Sequence, residues 1–155
     1  MQSVAQQLER LLREFEELVP DIEAIVVVND EGLTLASVVP LGVEEERIAA
    51  MATIGFSLSE RSIAELERGE WEHAIIKGTD GVLVIHSLEG GGAVAVIASK
   101  DAKTGMILYM MKRLVKQISE VLKGGLSLSA SSEQSGGPER SPSSNNLDFG
   151  IPPIG

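Results

Sequence analysis

Few side chains in this sequence have the type and spacing to do chemistry, and its two histidines come first. His73 and His86 sit in successive strand-like runs joined by Thr79-Asp80-Gly81. If Thr79 to Val82 is a two-residue hairpin, both imidazoles share one sheet face, diagonal across neighbouring strands and within reach of a common metal ion. A functional zinc site normally takes three or four ligands, and no other residue supplies them at a fixed spacing. Exposed strand polar residues are the favoured reading, and no metal is expected. Glu44-Glu45-Glu46 sets three carboxylates in a row, but consecutive helical residues diverge by about 100° and cannot converge on one ion. Gly90-Gly91-Gly92 joins two strands without the following helix or the Lys-Ser/Thr pair of a phosphate loop, and reads as a hairpin connector. No nucleophile, base and orienter come together, so neither catalytic residues nor a cofactor is expected and the protein is not read as an enzyme.

The elements that hold these residues follow from periodicity. Val4, Leu8, Leu11, Leu12, Phe15, Leu18 and Val19 recur every three or four positions among charged residues, which predicts an amphipathic helix ended by Pro20. Residues 22–28 form a β-branched run, Asn29-Asp30-Glu31-Gly32 supplies turn chemistry, and residues 33–37 return as a second strand. A long helix opens on the three glutamates, where negative charge suits the helix dipole, and stops at Gly69. Its middle is rich in Ala49, Ala50, Ala52, Thr53, Gly55, Ser57 and Ser59, small enough to admit a second helix, either internally or across a subunit boundary. Residues 71–78, 82–88 and 93–99 read as an antiparallel meander. A final helix from about Gly105 to Lys123 is expected to end at Gly124-Gly125. The class is α+β, a binding platform with no catalytic motif interrupting it.

Composition narrows the partners. The 155 residues carry a net charge of -10 and no cysteine, which argues against nucleic-acid binding and excludes disulfides and thiolate metal sites. No apolar run approaches the roughly 18 residues of a membrane span, and the N-terminus lacks the pattern of a signal peptide, so a cytoplasmic protein is expected. Residues 100–123 carry Lys100, Lys103, Lys112, Arg113, Lys116 and Lys123 against Asp101 and Glu120, which makes the last helix the only basic element. Their charge complements the helix dipole or offers a patch to an acidic partner. Trp71 reads either as a cap on the core or as an interface anchor. Residues 1–124 are assigned to one domain and residues 125–155 to a disordered Ser/Gly/Pro-rich tail. The tail closes on Leu147, Phe149, Ile151, Pro152, Pro153 and Ile154, a candidate partner-docking motif.

The element order, the hairpin over Val26 to Ala36 and the Ala/Ser-rich second helix resemble the Roadblock family, which includes roadblock-type dynein light chains and bacterial regulators of Ras-like GTPases. The resemblance spans roughly residues 4–123. It implies a five-stranded antiparallel sheet with helices on both faces, in the order α-β-β-α-β-β-β-α. It also implies a homodimer built from the second helix and third strand, placing Ala49, Ala52, Thr53, Phe56, Trp71, His73 and Ile75 at a two-fold interface. An arginine at Ala52 is accordingly expected to yield monomer or aggregate. The function implied is regulation or co-regulation of a small Ras-like GTPase. A nucleotide-independent structural adaptor that recruits partners through platform and tail is the alternative.

Overall fold

The side chain of Ser3 starts the first helix. Its Oγ accepts from the Gln6 N–H at 3.1 Å while Gln6 Oε1 accepts from the Ser3 N–H at 3.0 Å, so two donors that a helix start leaves over are satisfied reciprocally. The computed structural model describes residues 2–130, with side chains placed for residues 2–124. Helix α1 spans Val4–Leu18 and is followed by strands β1 (Ile22–Val28) and β2 (Thr34–Val38), then α2 (Glu45–Glu65). Strands β3 (His73–Gly78), β4 (Gly81–Ser87) and β5 (Ala93–Ser99) precede α3 (Thr104–Ala130).

The strands form one five-stranded antiparallel sheet, as the Roadblock resemblance implied, in the order β2-β1-β5-β4-β3. The β1–β2 turn is set by Asn29, whose Oδ1 accepts from the N–H groups of Glu31 and Leu33 at 2.9 and 3.0 Å, and by Gly32 at φ +87°. Alternation along the strands splits the core in two. Ile25, Val27, Val84, Val94 and Val96 face α1 and α3, meeting Leu8, Leu12, Phe15, Met111 and Ile118. Ala24, Val26, Val28, Ile85, Ala93 and Ala95 face α2. Each helix buries one stripe against a sheet face, the usual layered solution for an α+β chain.

Two sequence expectations are corrected. The helix expected to stop at Gly124-Gly125 continues to Ala130. Gly124 takes no left-handed φ, and glycine inside a helix costs only about 1 kcal/mol relative to alanine, so it permits a stop without imposing one. The β3–β4 turn is Thr79-Asp80, with Gly78 opposite Gly81, so His73 and His86 are direct cross-strand partners and not diagonal ones. By contact density the chain divides into Met1–Leu122 and Lys123–Gly155.

Gly90, Gly91 and Gly92 do connect β4 to β5, all at positive φ, but only Gly92 is pressed against another strand. A Cβ there would lie 2.3 Å from the Val28 carbonyl oxygen and 2.8 Å from Asn29 Cα, whereas one on Gly90 would meet nothing within 4 Å. Gly90→Ala is expected to carry only the left-handed penalty of about 1–2 kcal/mol, and Gly92→Ala to lose at least about 2 kcal/mol more because backbone must move. Chemical denaturation of the two variants side by side checks the difference.

Candidate functional site

Helix α2 carries two apolar stripes, and the sheet takes one of them. Ile48, Ala49, Ala52 and Phe56 are buried against the sheet, and Trp71, just ahead of β3, stacks on Phe56 with ring centroids 6.4 Å apart. Gly55 lies directly above Ile85, where a Cβ would come within 2.5 Å of Ile85 Cδ1. Ala49, Ala52 and Gly55 are therefore the small residues of α2 that lie against the sheet. Thr53 Oγ1 donates to the Ala49 carbonyl at 2.8 Å, and its side chain lies against Gly32 on the β1–β2 side of the helix.

The residues expected at the interface from the sequence are distributed over several surfaces of the subunit. Ala49, Ala52, Phe56 and Trp71 are committed to the protein's own core, and Thr53 lies on the side of α2 away from β3. His73 and Ile75 are on β3, but their cross-strand partners are His86 and Val84, which puts them on the α1/α3 face of the sheet. The apolar side chains that α2 leaves uncovered are Met51, Ile54 and Leu58, at 51%, 58% and 66% exposure. Spaced three and four apart, they form a stripe about a quarter-turn or more from the buried one. Ile76 of β3, 51% exposed, lies on the α2 face beside them. Among the described residues, the outer edge of β3 has no neighbouring strand. An open strand edge next to an exposed apolar helix stripe is a surface suited to a protein partner.

Between the stripe and the sheet runs an open groove of about 410 Å³. Ile48, Met51, Ile76, Leu83 and Ile97 line its apolar wall, and Glu23, Arg47 and Asp80 mark the rim.

A model of the Roadblock/LC7 domain matches residues 8–98. The chain belongs to the Roadblock/LC7 family. It is 33% identical over 97 residues to MJ1340, an uncharacterized protein of Methanocaldococcus jannaschii, a match covering 63% of this chain and 84% of that one. Its fold is similar to a Roadblock/LC7 domain from Streptomyces avermitilis, with a TM-score of 0.70 at 21% identity, over 74% of this chain and 97% of that one. It is also similar to Myxococcus xanthus MglB, with a TM-score of 0.72 at 9% identity, over 80% and 93% of the two chains. At such identities the two structures speak for the fold alone.

The other chemistry-bearing residues of this Roadblock/LC7 chain are dispersed. Glu45 Oε1 accepts from Ser37 Oγ at 2.8 Å and Glu44 lies 3.9 Å from Arg47, so the glutamate run is divided among separate partners. Among the described residues, no three His, Cys, Asp or Glu side chains gather where they could hold a metal ion. No described helix is long and apolar enough to cross a membrane. The tail residues Leu147, Phe149, Ile151, Pro152, Pro153 and Ile154 lie outside the described residues. The exposed stripe was missed although its signal was present: Met51, Ile54 and Leu58 repeat at helical spacing, out of phase with Ile48, Ala52 and Phe56.

Proposed function

We propose that the protein is a non-enzymatic, homodimeric regulator of a small Ras-like GTPase, acting in the cytoplasm. The observation that carries the reading is the exposed surface of Met51, Ile54, Leu58 and Ile76 beside the open β3 edge. Pairing two copies about a two-fold axis, helix α2 beside its mate and β3 edge to edge, covers both apolar stripes and satisfies both strand edges. The result is a ten-stranded sheet with the two α2 helices side by side on one face. Membership of a family that includes regulators of Ras-like GTPases supplies the partner class, and the acidic balance of residues 1–70 suits a protein surface better than a nucleic acid.

A regulator of this kind must distinguish the GTP-bound from the GDP-bound state by differential affinity. Capture of partners from native lysate on the immobilised full chain, with a non-hydrolysable GTP analogue and with GDP in parallel, reads that difference. A Ras-like GTPase retained at least about tenfold better in one nucleotide state, about 1.4 kcal/mol of discrimination, is the expected result. Partners retained equally in both states would replace this reading with that of a structural adaptor.

A further inference from the structure

The β3–β4 hairpin sets the two histidines of the chain face to face. The Ser87 N–H donates to the Glu72 carbonyl at 2.9 Å, which leaves His73 and His86, one step inward, as a non-hydrogen-bonded pair. That is the cross-strand position at which antiparallel side chains come closest. Their rings stack at 29° with centroids 5.9 Å apart. His86 Nδ1 lies 3.0 Å from the Ser87 carbonyl oxygen. Because a carbonyl can only accept, Nδ1 carries the proton there and the lone pair of the neutral ring falls on Nε2. Nδ1 of His73 is buried with no hydrogen-bond partner among the described residues.

We propose that His73 and His86 form a two-histidine chelate for an imidazole-seeking divalent transition-metal ion of the zinc and copper(II) kind. A ring N–H held by a backbone carbonyl is the outer-shell device that fixes tautomer and ring direction in metal-bound histidines, and His86 has it. The buried, unpaired nitrogen of His73 is a polar atom whose burial is otherwise uncompensated. Ligation needs metal–nitrogen distances of about 2.0–2.1 Å, reached by turning the His73 ring toward Nε2 of His86, whose own ring stays held by the Ser87 carbonyl. With no third ligating side chain gathered among the described residues, water fills the remaining positions and the ion exchanges readily.

The surrounding charges act in both directions. Burial draws the His86 imidazole below its ordinary 6.5; the Ser87 carbonyl opposes this, His73 and Lys112 of α3 add to it, and Glu72 opposes it. Lys112 is exposed, and its long stem lets the ammonium move away from an incoming cation. A bound ion would clasp edge strand β3 to β4, on the sheet face opposite the α2 stripe.

Calorimetric titration of the full chain with zinc chloride, and separately with copper(II) chloride, tests the chelate. Proton NMR of the zinc-titrated, unsubstituted protein follows the same event at the imidazole Hε1 signals. One ion per chain is expected, with both Hε1 signals shifting together and binding weakening as pH falls and protons compete for the ligands. His73→Gln, at a half-buried edge-strand position, should remain folded and abolish saturable binding. Lys112→Ala should bind as tightly or more tightly. Unshifted imidazole signals, or an isotherm that His73→Gln leaves unchanged, overturn the assignment, and both outcomes are independent of whether the protein dimerises or meets a GTPase.

Discussion

Replacing Ala52 by arginine is expected to unfold the protein, not to divide a dimer. The Ala52 side chain has no solvent exposure and packs among Val26, Val28, Ile85 and Ala95 under α2. A guanidinium placed there finds no acidic group in that cluster. The effective penalty for burying an unpaired ion is several kcal/mol, and forcing extra volume into a packed layer adds about 1–3 kcal/mol. Domains of this size are stable by only about 5–15 kcal/mol, so the substitution consumes most or all of the margin. Thermal melting followed by circular dichroism should show a lost or strongly lowered cooperative transition, with the protein recovered largely as aggregate. An Ala52→Arg protein that melts cooperatively at the original temperature would contradict the packing of α2 onto the sheet.

The double substitution Ile54→Glu, Leu58→Glu is expected to do the reverse, sparing the fold and abolishing self-association. Both side chains are more than half exposed and belong to neither core cluster, so the isolated subunit loses little when they change. Fully burying an Ile or Leu side chain contributes about 1.5–3 kcal/mol, and these begin roughly half buried. Two-fold symmetry counts each change twice, giving a loss of about 4 kcal/mol, or roughly 1000-fold in the dimerisation constant, before repulsion among the carboxylates is added. Sedimentation velocity across a concentration series reads this directly, with the melting temperature of the dissociated subunit as control. A double variant that stays dimeric would remove α2 from the interface. A wild-type chain that is monomeric throughout would remove the dimer.

Together these variants separate two surfaces that lie on a single helix. Ile48, Ala52 and Phe56 define one stripe, and Met51, Ile54 and Leu58 another. Periodicity establishes that both exist. It does not say which one meets the sheet, because small and large apolar residues occur in both. The alanines suggested helix-to-helix contact, whereas Ala49 and Ala52 are buried against the sheet and Gly55 lies over Ile85. Pairing of the histidines was hidden in a similar way. His73 and His86 were legible as strand residues, but moving the turn by one residue, to Thr79-Asp80, changes a diagonal relation into a direct one.

Legible in the sequence were local features: the helical periodicity of α1, the Asn29–Gly32 turn between β1 and β2, the β-branched run of β1 and, through these, the order of elements and the Roadblock resemblance. Those features depend on groups a few residues apart, whose geometry the backbone settles nearly alone. The tertiary structure decided the direction of α2's two stripes, the strand register at the β3–β4 turn and the open β3 edge. Each of these depends on which distant surface arrives to bury a side chain, and burial, unlike periodicity, is a property of the assembled layers.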